Sequence, residues 1–439
     1  MKKKITIAVV LIFIFTMTFG ACNSGDAPSD NSGETPSAPS NESSGDDTAA
    51  PAEVKNIKFY AKIVEYESGE PSCELLQELL ADKYNIEALQ VDWGNLDQVI
   101  RTGISGGEPC DIYDYWPQVV SQFQKDDMVL DLTPYLDADG GAWRDTFDPS
   151  LLDLGTIGGK VYGLPTTPNF PTIVANKDLF DEAGVAIPEG TYWAWDDFLD
   201  ACSKLKAAGI SPFALPTDNL KGNWTFRNGL LSMAKDSGQI DAIANGEVPL
   251  TDSIVEKALT LNKELYDNGY MYPGEGAVTL TTDEARAAFA QGKVAMQAEN
   301  SAGLSGAMAA LPFVPVVVAW PAMGSSNSVQ GGADGLFIPA NVKDPDAAVE
   351  VMKVYTSAEV QQINSDYGFI VSVKGTTSSD PIVAKLSEFT GGVCGTEIMG
   401  FDPELDDFIY NQLLAELILG GGIEATMDKM EALRAAAAG

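Results

Sequence analysis

The sequence predicts an α/β protein with more than one lobe, and three observations lead there. Apolar residues alternate from Val54 to Val64 (Ile57, Phe59, Ala61, Ile63), Leu75, Leu76, Leu79 and Leu80 follow as a helix, and Ile86 to Val91 reads as a second strand. That is the β-α-β opening of a doubly wound sheet. Further on, an apolar run from Pro171 to Ala175 breaks into Asn176-Lys177-Asp178-Leu179-Phe180, a strand handing over to a short helix. Finally, 439 residues favour two or three domains.

Each element in the central stretch, Tyr162 to Pro216, has a local reason. Gly184 and Pro188 end the helix after Asn176, as Gly past a C-cap followed by Pro should. A second helix runs from about Asp196, with Phe198, Leu199, Cys202 and Leu205 on one 3.6-period stripe, until Gly209 and Pro212. Leu259 to Tyr266 makes another amphipathic helix. Gly292 closes a helix, and Val294 to Met296 opens a strand leading to Gln297, Glu299 and Asn300. Phe313 to Trp320 is a buried strand, and the tail, Leu413 to Leu433, is helical.

Composition narrows the function. Hydrophobic residues make up 45% and charged residues 21%, an ordinary globular balance, but the formal charge is −36. Phosphate-bearing partners, nucleic acid or anionic lipid, would be repelled. The charge reads either as a solubility device or as an acidic cleft for a cationic ligand. The chain has no histidine, which excludes Ser-His-Asp and Cys-His machinery and the common zinc sites. The acids Asp137 and Asp139 resemble the start of a calcium loop. Ala142 stands where that loop needs Gly, and the twelfth position is Asp148 instead of Glu, so a solvated turn is expected and no metal or cofactor is assigned. The cysteines are Cys22, Cys73, Cys110, Cys202 and Cys394, with no C-x-x-C pair. Cys202 is read as a core residue, and a Cys73–Cys110 bridge is left open.

At the N-terminus, Lys2-Lys3-Lys4 and the apolar run Ile5 to Ala21 have the layout of a secretory signal, shorter than the roughly 20 residues of a membrane span. Phe19-Gly20-Ala21-Cys22 resembles the bacterial lipobox, which implies diacylation of Cys22. From Asn23 to Ala52 there is no Leu, Ile, Val, Met, aromatic or basic residue. Such a segment is expected to be a disordered linker with an r.m.s. reach of about 30 Å. The expected division is a signal peptide at 1–21, a lipid-anchored linker at 22–52, and a folded part from about Glu53.

Several linked blocks carry a family resemblance. They are Tyr162-Gly163-Leu164-Pro165, Asn176-Lys177-Asp178-Leu179-Phe180 with Ala183-Gly184, Trp195-Asp196-Asp197-Phe198, and Pro212-Phe213. Others are Asp131-Leu132-Thr133-Pro134-Tyr135-Leu136, the Ala287–Met296 block ending Gly292-Lys293-Val294-Ala295-Met296, and the helix from Asp346 to Gln361. Together they resemble family 1 of the extracellular solute-binding proteins, the maltose-binding-protein-like, sugar-type receptors of ABC importers. The resemblance implies the two-lobed, type II periplasmic-binding-protein-like fold, with a ligand cleft between lobes joined by crossing hinge strands. It places the first lobe at 53–163 and 331–372 and the second at 164–330 and 373–439.

Function by this route is capture and delivery, not catalysis. Aromatic planes cover the C–H faces of a sugar while carboxylates, amides and Arg meet its hydroxyls. The candidate ligand-binding residues are Glu65, Asp114, Tyr115, Trp116, Trp224, Arg227, Glu299, Asn300, Trp320 and Asp334. Asp114, Tyr115 and Trp116 stand at the carboxyl end of a strand, where open α/β sheets bind ligands. The glycines around Asp334, Gly331-Gly332-Ala333-Asp334-Gly335, suit a hinge or tight turn, or a close approach of backbone to ligand. The implied partners are a carbohydrate, the permease subunits of an ABC importer, and the outer face of the cell membrane through the lipid alone. The protein is expected to be a monomer. Two alternatives stand beside this reading: a receptor for a polyamine or other cation, and a glycosidase using two carboxylates. The acidic pairs Asp196-Asp197 and Asp406-Asp407 read as a helix start and a helix surface.

Overall fold

Among the described residues, nine of the strands assemble into the two larger sheets, which exchange the polypeptide at a narrow waist. A computed structural model describes residues 54–61, 67–90, 95–219, 221–234, 237–395 and 403–437. The signal segment, Cys22, the 23–52 linker and Glu65 lie outside the described residues. In chain order the strands are β1 (Lys55–Ala61), β2 (Tyr84–Gln90), β3 (Ile112–Tyr115), β4 (Leu164–Asn169), β5 (Pro171–Asn176), β6 (Ser211–Ala214), β7 (Val294–Asn300), β8 (Pro315–Val318) and β9 (Gly332–Phe337). The first sheet has the order β2-β1-β3-β9-β4 and the second β8-β5-β7-β6. In the first sheet β1 pairs parallel with β2 and β3, and β9 enters antiparallel between β3 and β4. The late strand therefore sits beside strands laid down far earlier in the chain.

Each sheet has its own core. The Gly69–Leu80 and Pro345–Tyr355 helices cover the first sheet, contributing Leu76, Leu80, Ala348, Val351 and Met352. The expected alternation in β1 holds, with Ile57, Phe59 and Ala61 buried. In the second lobe Phe198, Cys202 and Leu205 of the Trp195–Ala207 helix pack on Val174, Phe213 and Met296. Asn176 caps the Lys177–Ala183 helix by accepting from the backbone N–H groups of Asp178 and Leu179, and Gly184 closes it at φ 66°. A further helical core joins Phe226 and Leu230 to Leu259, Leu413 and Met430. Here the helical tail expected from Leu413 to Leu433 is present as two helices. Helices run over Leu413–Leu419 and Gly422–Ala437, and the break falls at Gly420 to Gly422, the last with φ +75°.

The chain leaves the first sheet after β4 and joins the second at β5, so Phe170 alone separates them. The boundary set at 163/164 is therefore earlier than the change of sheet. Residues 164–169 pair with β9, and their two prolines and absent apolar alternation had hidden a strand. The chain returns between Gln330 and Gly332. It passes over again after Val373, which packs in the first core, and before Val383, which packs in the second.

The glycines of the return keep φ outside the positive region, so their role is close approach and not a tight turn. A Cβ on Gly331 would lie 2.8 Å from the Asn169 carbonyl and 2.9 Å from Phe170 Cβ. On Gly335 it would stand 2.5 Å from Pro117 Cγ and closer still to the Leu164 carbonyl. Asp139 and Gly140 turn through positive φ in an exposed 3-10 segment. Cys73, Cys110, Cys202 and Cys394 are all free thiols, so the Cys73–Cys110 bridge does not form. Burial pushes the Cys73 thiol up to about 11.

Because the Leu164 carbonyl belongs to a paired backbone, it cannot yield as a flexible side chain could. Gly335→Ala is expected to cost about 1–3 kcal/mol, measured as a drop in the urea midpoint at unchanged slope.

Candidate ligand cleft

At the waist the two lobes enclose a cleft of about 250 Å³. Its floor is the crossing itself, Asn169, Phe170 and Pro171 beside Gln330 to Ala333. The first lobe supplies Trp116 and Gln118, which follow β3 in a 3-10 turn started by Pro117, together with Asp334. The Ala333 N–H donates to Gln118 Oε1 at 3.2 Å. Gly332 makes this possible, because a Cβ there would overlap the Gln118 carboxamide.

The second lobe presents the first turn of the Trp224–Met233 helix. Trp224 and Arg227 are one turn apart and both line the cleft. Asn223, buried at the helix entry, accepts from Arg227 Nη1 at 3.2 Å and donates through Nδ2 to the Ile409 carbonyl at 2.9 Å. That contact holds the neighbouring segment so that the Tyr410 ring faces the Arg227 guanidinium, 4.5 Å from its centroid. Burial pulls the Arg227 guanidinium down to about 10, with the Tyr410 and Asp406 charges acting the other way, so it remains a cation at neutral pH. Burial likewise pushes the Tyr410 hydroxyl up to about 12. Trp320 meets Trp224 edge to face, centroids 6.0 Å apart at 88°, and fixes that indole from behind. Asn300 closes the wall with its Oδ1 held by the Ala302 N–H at 2.9 Å, and Asn219 contributes from a left-handed backbone conformation, φ 51°.

Of the sequence candidates, the cleft therefore gathers Trp116, Trp224, Arg227, Asn300 and Asp334, with Trp320 as a buttress. Three others sit elsewhere, for reasons of strand alternation and pairing. On β3 the side chains alternate, and Tyr115 turns with Tyr113 into the core beside Phe123. There its hydroxyl donates to Asp97 at 2.6 Å and accepts from Gln122. Asp114 points to the opposite face, 5% exposed. It lies near the fully buried Tyr355, whose ionisation is suppressed first by burial and then by the Asp114 charge. Glu299 is 1% exposed and occupied. Arg286 grips it through Nε at 2.6 Å and Nη2 at 2.9 Å, and Gln297 donates at 2.7 Å. It is a structural ion pair of the second lobe.

Gln118, Asn169, Asn219, Gln330 and Tyr410 also line the cleft and were not foreseen. Gln118 lies two residues beyond Trp116, past the proline, and that spacing is the available signal. Asn219 sits in a Pro-Thr-Asp-Asn loop, where Asn tolerates positive φ. Nothing local marks Tyr410, which is brought in by the packing of the C-terminal helices.

A larger groove of about 910 Å³ lies on the first lobe, lined by Leu79, Tyr135, Trp143 and Val349 among others. It shares no residue with the waist cleft and is mainly apolar, and its charged lining of Asp346, Glu350, Lys353 and Glu359 includes no amide or guanidinium side chain. Among the described residues no group of three or more His, Cys, Asp or Glu is placed to hold a metal ion.

Residues 74–362 match the family model described as bacterial extracellular solute-binding protein. The chain belongs to that family. The solute-binding protein is 26% identical over 293 residues to the multiple sugar-binding protein of Streptococcus mutans, covering 63% of this chain and 66% of the relative. Among solved structures, apo RafE of Streptococcus pneumoniae superposes with a TM-score of 0.74 at 18% identity, covering 88% of this chain and 99% of the other. A chitin oligosaccharide binding protein gives 0.66 at 22% identity, covering 88% and 100%. These likenesses establish the type II periplasmic-binding-protein fold for this solute-binding protein.

The Glu299 assignment makes a separable prediction. Arg286→Ala leaves the buried carboxylate with the Gln297 hydrogen bond and the Lys221 charge, at a cost of about 1–3 kcal/mol. The half-exposed Arg286 side chain keeps the loss below that of a fully buried pair. Chemical denaturation reads the loss, and the cleft residues remain in place.

Proposed function

We propose that this solute-binding protein captures a neutral carbohydrate in the waist cleft and delivers it to an ABC importer, without chemical conversion. One observation carries the reading: the polar lining is dominated by carboxamides. Gln118, Asn169, Asn219, Asn300 and Gln330 stand, among the described lining residues, beside one cation, Arg227, and one carboxylate, Asp334. A carboxamide offers donor and acceptor together, as a hydroxyl does, while the Trp116 and Trp224 planes suit the C–H faces of a sugar ring. The volume falls just under the ~300–1,000 Å³ of common small-molecule pockets, which favours a short glycan. That the multiple sugar-binding protein is a relative and that RafE is known in complex with raffinose support the same class. Contacts from both walls would favour the closed form that a permease distinguishes from the open one.

The polyamine reading loses support from Arg227, a fixed cation in a low-dielectric wall that would repel a polycation. The glycosidase reading needs two carboxylates flanking a glycosidic bond. Among the described lining residues, Asp334 is the one carboxylate. Diacylation of Cys22 would hold the protein at the outer face of the membrane, with the 23–52 segment as tether.

Thermal unfolding against raffinose, chitin oligosaccharides, monosaccharides, spermidine and putrescine tests the reading. A ligand at a hundredfold excess over Kd stabilises by about 2.7 kcal/mol. A shift with one glycan is expected, and it should vanish in Trp224→Ala. A shift with polyamines alone would overturn the carbohydrate assignment. For the anchor, Cys22→Ser is expected to move the protein from the membrane fraction to the medium, and retention at the membrane would count against lipidation.

A further inference from the structure

The helix that carries Trp224 and Arg227 is fastened along another face to the segment leading into the chain crossing. Asn228 Oδ1 accepts the Gln330 N–H at 2.6 Å. One turn on, Ser232 Oγ accepts the Met323 N–H at 3.0 Å, and the Ser232 carbonyl accepts the Ser326 N–H at 3.3 Å. Between them Gly229 lies against Met323, and Gly324 lies against the Ser232 carbonyl, each so tightly that a Cβ would overlap its neighbour. Gln330 is the last residue before Gly331, whose own N–H donates to the Cys394 carbonyl at 3.0 Å and whose lack of a Cβ leaves room for the other crossing segment. One short helix thus has one edge in the cleft and another on the return strand.

We infer that Asn228 is a positioning residue that clamps the cleft helix to the return strand, so that ligand contact at Trp224 and Arg227 bears on the crossing. The inference rests on the binding reading above. Asn228 is 1% exposed and its Nδ2 makes no hydrogen bond, so the clamp uses the acceptor oxygen alone. A packing asparagine would be replaceable by leucine, which has the same branching and the same number of side-chain heavy atoms. A clamp would tolerate only a residue that keeps the oxygen, which Asp does in either protonation state.

The test compares Asn228→Leu with Asn228→Asp by hydrogen exchange on the whole protein, with thermal melting as a control for folding. Without ligand, Asn228→Leu is expected to raise exchange across 329–335 severalfold, while Asn228→Asp stays at the wild-type level. With raffinose as probe, wild type and Asn228→Asp should gain protection across 329–335, and Asn228→Leu should lose that gain and about tenfold in affinity. Ser232→Ala is a second variant, expected to loosen 323–326. Unchanged exchange across 329–335 in Asn228→Leu overturns the clamp whatever the binding result. If raffinose does not bind wild type, that failure belongs to the carbohydrate reading, and the ligand-free comparison still decides the clamp.

Discussion

The structure depends on two chain segments crossing with almost nothing between them. Asn169–Phe170 passes one way and Gln330–Gly332 the other, and the close contact exists because Gly331 has no side chain. The same economy recurs where Gly335 lies on the Leu164 carbonyl and Pro117. If the strands stood further apart, the late strand could not enter between β3 and β4, and the cleft would lose its floor. The residue that fills the space vacated at Gly332 is Gln118, a cleft residue. Steric room in the backbone and polarity in the site have a common origin.

Around that waist the walls are built by relay. Asn223 holds both Arg227 and the Ile409 carbonyl, which sets Tyr410 under the guanidinium, and Trp320 backs Trp224 from the second core. A buried Arg is expensive unless its charge is met by ordered partners. Here the aromatic ring and neighbouring amide supply part of that, and among the described lining residues Arg227 faces one carboxylate, Asp334, inside a protein of net charge −36.

Much of the architecture was legible from short-range signals. Caps and stop signals at Asn176, Gly184, Gly209 and Gly292 mark helix ends by local stereochemistry, and the alternation of β1 and the stripe of Phe198, Cys202 and Leu205 report their own burial. β4 was not legible, because Leu-Pro-Thr-Thr-Pro-Asn forms a strand only through its pairing with β9, more than a hundred residues away. The site was half legible for the same reason. An aromatic at a strand end is a local feature, and it marked Trp116, while Trp224 came from the family resemblance and Arg227 stood beside it. Whether Tyr115 or Asp114 faces a cleft depends on the phase of the strand, and whether Glu299 is available depends on Arg286 from another element. Tyr410 reaches the site only through the packing of the C-terminal helices.

The placement of the indoles has an optical consequence. Trp116 and Trp224 stand on opposite walls of one cleft, and Trp320 lies edge-on to Trp224 within 6.0 Å. Indole emission responds to solvent exposure and to the polar groups around the ring, and both would change for this pair whenever the walls approach or part. The molecule thus contains its own spectroscopic gauge, with no added label, at the position where the separation of its lobes is set.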